Sequence, residues 1–394
     1  MDKRAPARSG LSRRSMLAGA AAGVIVPAVA AAASSAPASA APGITRQITM
    51  YAEKIPGTDL YGYGLEPGKP TIPGPLLEMY EGDTLEIELV NNTDQRLSIH
   101  PHGVNYDTAS DGAPFNNSFN NPGETRTYIW RSRTQYQASN GFWMPGSAGY
   151  WHYHDHALGG DHGTAGLLGG LYGGLIVRKR GDLLPSKQYT VVFLDMMVNH
   201  KIAPETPIFE ANLGERVEWI CIGHGNLPHT FHLHAHRWAD TRTGMLNGDN
   251  DRSHVIDNKN LDPGASFGFQ VIAGEGVGPG AWMYHCHVQL HSDQGMAGVF
   301  LVRNADGSMP PGAQEAIDRF KGHGHGGHSA HSGAVAADPN GRPLPPSIPP
   351  GGAQKHPNAG GGPLDTTGGA AAKQAPPPPP APPAPHDHGG HAGH

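Results

Sequence analysis

Cysteine is almost missing from this chain: two in 394 residues cannot build a disulfide framework, and one bridge is the most that could form. Charge is scarce as well. Asp, Glu, Lys and Arg together make up 16%, the 28 basic side chains are outnumbered by 34 acidic ones, and the formal net charge is -6. That balance excludes a basic field for nucleic acid or for an anionic membrane surface. No long helical period runs through the chain. Its length leaves room for two or three ordinary domains. What is plentiful is histidine, 25 of them, and many imidazoles beside few thiols point first to transition metals.

The two ends read differently from the middle. Ser12-Arg13-Arg14-Ser15-Met16-Leu17 leads into an Ala-rich apolar run interrupted by Pro27, and Ala38-Ser39-Ala40 is a small-x-small cleavage pattern before Ala41. Residues 1–40 are thus expected to be a twin-arginine-type export signal rather than a stable membrane anchor, which places the mature protein outside the cell or on the cell-envelope side. From Asp306 onward Gly, Pro and Ala dominate, so 306–394 is expected to be a disordered tail. That tail carries His323, His325, His328, His331, His356, His386, His388, His391 and His394, a set open to weak metal scavenging or to no specific role.

Between the ends lies one unit written twice. Short Val, Ile, Leu, Tyr and Trp runs broken by Gly, Pro and Asn predict an all-β body of short antiparallel strands. Gly82-Asp83-Thr84-Leu85-Glu86-Ile87 aligns with Gly214-Glu215-Arg216-Val217-Glu218-Trp219, and His100-Pro101-His102 with His232-Leu233-His234, both 132 residues on. Trp151-His152-Tyr153-His154-Asp155-His156 aligns with Trp282-Met283-Tyr284-His285-Cys286-His287 at a separation of 131. The duplication predicts two β-sandwich domains, 41–182 and 183–305.

Histidine placement follows the repeat. On a strand, His-x-His puts two imidazoles on one face about 7 Å apart along the backbone, a spacing suited to gripping metal. Four such pairs occupy repeat-related positions: His100 and His102, His154 and His156, His232 and His234, His285 and His287. Parity then separates a second site. Cys286 must point away from His285 and His287, and His229 falls on the face opposite His232 and His234. Downstream, Cys-x4-His-x4-Met returns His291 and Met296 toward the same place. Two imidazoles, one thiolate and a weak axial Met make a blue-copper ligand set. The first repeat has Leu97 where His229 belongs and Asp155 where Cys286 belongs, so it holds no such site. Cys221 reads as core, His152 as supporting or structural, and His162, His200, His224, His236 and His254 as non-ligands.

At this point the chain resembles the multicopper oxidases, in particular the small two-domain bacterial laccases. The likeness runs from about Ile44 to Arg303 and rests on the four His-x-His pairs and on His285-Cys286-His287-Val288-Gln289-Leu290-His291 with Met296. The resemblance implies two cupredoxin-like Greek-key sandwiches and four coppers per chain. Type 1 would use His229, Cys286, His291 and Met296. His100 and His232 would hold type 2, and His102, His154, His156, His234, His285 and His287 the two type 3 ions. It further implies a homotrimer, one-electron oxidation of small aromatic donors (phenols and aromatic amines), and four-electron reduction of O2 to water. Tyr106 and Asp111 match a Tyr and an Asp near the cluster of that family, implied to donate an electron and relay protons; without the family they are a loop Tyr and a turn Asp.

Rival readings differ in their ligand sets. A copper nitrite reductase would carry its blue site in the first repeat, against Leu97 and Asp155. A copper-storage module would not require the wired arrangement in which Cys286 is covalently continuous with His285 and His287. Oxidation of cuprous or other metal ions goes with Met-rich insertions near the blue site, and the 11 Met of this chain do not cluster there. The ligand count alone permits the cluster to form within one chain as well as between chains.

Overall fold

In the computed structural model, residues 43–322 are described. The segment expected to be an export signal and the His-rich part of the tail lie outside them. Each half of the body is a pair of four- or five-stranded sheets, and the second half repeats the strand order of the first. In the first sandwich Tyr61–Gly64, Thr45–Lys54, Thr84–Asn91 and Thr125–Arg131 form one sheet, and Gly74–Tyr80, Tyr172–Arg178, Gly149–His154 and His100–Pro101 the other. In the second, Met197–Val198, Lys187–Leu194, Arg216–His224 and Ser266–Ile272 face a sheet of Ile208–Asn212, Ala297–Arg303, Gly280–Cys286, His229–Leu233 and Asn258–Leu261. Thr45–Lys54 runs parallel to Thr84–Asn91 just as Lys187–Leu194 runs parallel to Arg216–His224. These are cupredoxin-like sandwiches, and the body is all-β apart from short helices.

Alternating side chains fill each interior. Leu85, Ile87, Leu89, Tyr128 and Trp130 meet Leu77, Leu175 and Tyr153 in the first core; Val217, Trp219 and Phe269 meet Phe231, Tyr284 and Phe300 in the second. The outer face of the Tyr172–Arg178 sheet is not solvated: Tyr150, Tyr172 and Ile176 pack on Val192, Leu194, Ile220 and Ile222 of the second sandwich. Strands buried on both faces lose the polar alternation of a half-exposed strand. Hence Tyr172–Arg178 is buried at every position and Arg216–His224 at all but its first.

One charged group enters that dry interface. Arg178, 3% exposed, forks onto both oxygens of fully buried Glu218 at 3.0 and 2.7 Å and also reaches Glu78 at 2.8 Å. Tyr150 and Gln270 donate to the same Glu218 carboxylate, 2.8 and 2.9 Å away. Burial works to raise the Glu218 carboxyl, but the Arg178 bonds and charge together with the Gln270 and Gln188 bonds outweigh it and hold the group below the usual range.

The expectation of disorder from Asp306 fails over its first stretch. Ala313–Gly322 is a helix whose Ala313, Ile317 and Phe320 recur at i, i+4 and i+7 and are buried against Val299 and Leu301. The Pro310-Pro311-Gly312 punctuation ahead of it masks this short apolar stripe, and the sheet supplies the burial that a ten-residue helix lacks alone. No described helix is long and apolar enough to cross a membrane.

Candidate metal centre

The strand parity inferred above is realised in the second sandwich. His229, Phe231 and Leu233 are buried, while His232 lies on the alternate, less buried face. Along Gly280–Cys286, Tyr284 and Cys286 face the core. The short helix Gln289–Asp293 then carries His291 back under the strand, because Met296 N–H donates to His291 C=O and Cys286 N–H donates to Met296 C=O. The result is a compact pocket. Cys286 Sγ lies 3.7 Å from His229 Nδ1 and 3.6 Å from His291 Nδ1, and the two nitrogens are 3.2 Å apart. Met296 and Cys286 are fully buried, and His229 and His291 are 1% and 8% exposed. Both cysteines are free thiols, and Cys221 belongs to the core. Burial pushes the Cys286 thiol up and, with His291 nearby, lowers His229 to about 4. A protonated thiol beside a neutral imidazole is a site whose proton a cation must displace.

The four pairs form two matching half-clusters. On the first sandwich His102 Nε2 and His154 Nε2 stand 3.2 Å apart; on the second, His234 Nε2 and His285 Nε2 stand 3.2 Å apart. His100 rings lie 5.0 Å from His156, and His232 rings 5.2 Å from His287. Backbone carbonyls set the ring orientation. The Nδ1–H groups of His100, His154 and His156 donate to Asp111, Asp155 and Asp161 C=O at 2.5, 2.7 and 2.7 Å. Those of His232 and His285 donate to Asp257 and Cys286 C=O, both at 2.8 Å. Each bond fixes the tautomer and leaves Nε2 with a free lone pair. Burial, followed by neighbouring imidazoles, lowers His102 to about 4; burial likewise takes His285 to about 4.

Among the described residues no ring contact or hydrogen bond joins the first four histidines to the second four, and the groupings that could hold an ion stay within one sandwich. Tyr106 packs edge-on to His100 with ring centres 5.6 Å apart and is 36% exposed. Asp111 sits under the same ring, its carboxylate 3.5 Å from His100 Nδ1 and bonded by Asn116 Nδ2 at 2.6 Å.

Asp257, which the sequence left unremarked, belongs to this picture. It repeats the Asp111 arrangement at His232, its carboxylate 3.8 Å from Nδ1. No repeat signal marks it, because Asp111 follows its histidine by 11 residues and Asp257 by 25. His152, expected as supporting or structural, and His224, expected as a non-ligand, lie beside the first quartet. His152 stacks on His102 with ring centres 3.9 Å apart, and His224 of the second sandwich meets His152 edge-on at 4.8 Å. His162, His200, His236 and His254 stay outside the groupings that could hold an ion.

A buried Cys, two His and a Met in one cupredoxin sandwich, with imidazole quartets on both, define a copper-protein architecture. Models of the multicopper oxidase family match residues 69–182 and 184–306 in tandem. The chain belongs to the multicopper oxidases, a family of copper oxidoreductases. It is 33% identical over 278 residues to a probable nitrite reductase-hydroxylamine oxidoreductase fusion protein of Kuenenia stuttgartiensis, covering 64% of this chain and 30% of that one. Human ceruloplasmin is 26% identical over 274 residues, covering 58% and 23%, and rat hephaestin 26% over 275 residues, covering 58% and 22%. The chain thus spans less than a third of the length of these curated relatives. In fold it is similar to the multicopper oxidase mgLAC, with a TM-score of 0.50 and 21% identity over 70% of this chain and 98% of that one.

Proposed function

We propose that this chain is a laccase-type oxidase that takes single electrons from phenols and aromatic amines and reduces O2 to water, using four coppers per chain. The observation that carries the reading is the adjacency of two kinds of site on one strand. Cys286 faces the buried His229 and His291, with Met296 buried in the same core and accepting at its carbonyl from Cys286 N–H, while its chain neighbours His285 and His287 stand in the half-cluster. The donor sets suit copper: a thiol with two imidazoles and a thioether for type 1, and for the rest imidazoles of which five are held at Nδ1 by backbone carbonyls, leaving Nε2 free. His229, Cys286, His291 and Met296 would hold type 1, His100 and His232 type 2, and His102, His154, His156, His234, His285 and His287 the type 3 pair. Copper supplies the one-electron redox chemistry and the capacity to hold the four electrons that O2 needs.

The chain's own groups do the rest. The His285 Nδ1–H bond to Cys286 C=O adds a second short link between the two sites beside the peptide bonds. Asp111, held by Asn116, is placed to pass protons at His100, and Tyr106 to give an electron there. Phenolic and amine donors are supported by the surface beside the blue site, where Leu290 is 62% exposed and His291 is 8% exposed. Outer-sphere transfer at such a surface depends on donor potential more than donor shape. The 1–40 segment would export the protein to the cell-envelope side or beyond.

Each half-cluster offers four imidazoles and neither meets the other within the chain, which supports a homotrimer whose clusters form head to tail between neighbours. A mixing experiment tests this. Inactive His102→Ala chains co-assembled with inactive His287→Ala chains recover oxygen uptake on a phenol if the cluster is shared. An active monomer by light scattering, with no complementation, overturns the trimer; stoichiometric peroxide, or nitrite reduction in place of oxygen uptake, overturns the laccase reading.

A further inference from the structure

The repeat breaks at one position behind the half-clusters. His152 of the first sandwich corresponds to Met283 of the second, and Met283 packs with Ala281, Ile317 and Phe320 in an apolar layer. His152 is 1% exposed, yet among the described residues neither of its ring nitrogens has a hydrogen-bond partner, and the Nε2 of His224 behind it has none either. A buried polar atom left unpaired costs about 1–3 kcal/mol, so an aromatic wall alone would be cheaper as Phe. The imidazole calls for a use of its nitrogens.

Geometry indicates which use. The ligand atoms of His102, His152 and His154 all lie within 4.8 Å of one another, and the Nε2 atoms of His102 and His154 are 3.2 Å apart. Two imidazole nitrogens on one ion, each about 2 Å from it, can be no more than about 4 Å apart, so His152 has to shift by an ångström or so to join the other two. Its neighbour ring is already stacked against it. The Nδ1 of His154 is tied to Asp155 C=O, so it is Nε2 that faces the shared space.

We propose that His152 is a ninth imidazole ligand: with His102 and His154 it makes a three-nitrogen site on the first sandwich alone, which captures a cuprous ion before a partner's half-cluster closes over it. Three neutral nitrogens without an anionic ligand favour the monovalent ion, since burying a double charge unpaired costs more. The second sandwich, with Met283 in the corresponding place, lacks this extra nitrogen. The inference rests on the reading that clusters are shared between chains.

Its test uses the full copper-free chain carrying Cys286→Ser, His100→Ala, His234→Ala and His285→Ala, which removes the blue site, the other triad on the first sandwich, and the second half-cluster. Anaerobic competition with a coloured cuprous chelator gives the affinity, and X-ray absorption gives the number of nitrogens. Adding His152→Phe, which keeps the stacked ring and removes both nitrogens, should weaken cuprous binding at least tenfold and reduce the count from three to two. Unchanged affinity and count overturn the proposal. As a second measurement that needs no multiple variant, the copper-free chain with His152→Phe alone should take up cuprous ion at least tenfold more slowly than the unaltered chain, followed anaerobically by the loss of colour of the cuprous chelate; equal rates overturn it. Either result on His152 is independent of the mixing experiment: failed complementation refutes the shared cluster whichever way the Phe variant behaves.

Discussion

Asp155, the residue just past the Gly149–His154 strand, aligns with Cys286, the last residue of the Gly280–Cys286 strand, and the two buried side chains have opposite employments. The Asp155 carboxylate accepts from the backbone N–H groups of Ser98, Leu158 and Ala157 at 2.7, 2.7 and 3.1 Å and closes the turn after the His154 strand. Burial raises it to about 6 in spite of those bonds. Cys286 instead turns its sulfur to His229 and His291. One scaffold position closes a turn in one copy and, in the other, joins a buried Cys286, His229 and His291 group that could hold a metal ion.

Exchanging each residue should separate the two employments. Cys286→Ser is expected to abolish the blue absorption and donor oxidation while leaving about three of four coppers, read from the visible spectrum and metal content. Persistence of the colour would refute the type 1 assignment. Asp155→Ala should keep the blue absorption and lower stability by about 2–4 kcal/mol in urea unfolding, because three buried N–H groups lose their acceptor.

The Arg178–Glu218 fork should give the domain interface an acid limit. A carboxyl held below its ordinary value contributes stability that is present above about pH 4.3 and is lost as pH falls through the lower folded value. Glu218→Gln is therefore expected to flatten the loss of stability below pH 4, measured by urea midpoints across pH. Arg178→Met, which strands a buried carboxylate, should cost about 3–5 kcal/mol at neutral pH.

Asn116 is expected to act through Asp111. Removing the 2.6 Å bond in Asn116→Ala frees the carboxylate beneath His100 and should reduce turnover roughly tenfold or more with an altered pH profile, a scale typical of groups that orient a ligand's partner. The blue absorption should not move, because the residues proposed for type 1 belong to the other sandwich. A stopped-flow comparison of turnover and colour checks both halves of the statement.

For the Ala313–Gly322 helix, the expectation concerns stability alone. Phe320 and Ile317 are 7% and 5% exposed against the second sandwich, so replacing both by Ala should lower the unfolding free energy by several kcal/mol, on the order of 2–5 per side chain. Calorimetry would show the decrease, and a chain ending before Pro310 should behave likewise.

Much of the site was legible because it depends on covalent order. A strand turns each successive side chain to the opposite face, so His285-Cys286-His287 separates thiol from imidazoles wherever the strand lies, and the 131- and 132-residue repeat then assigns eight histidines to two equivalent places. Short apolar runs between turn residues likewise announced two sandwiches. What the chain order could not disclose depends on surfaces meeting. The stack of His152 on His102 needs His224 from the other sandwich behind it; Asp257 reaches His232 from a loop with no counterpart in the first repeat. The helix at Ala313 is stabilised by a sheet it finds only after folding, since ten residues on their own recover too little for the entropy of ordering them. Sequence by itself determined which side chains share a face. Tertiary packing alone decided which faces are covered, because burial is a property of two surfaces and each strand writes only one.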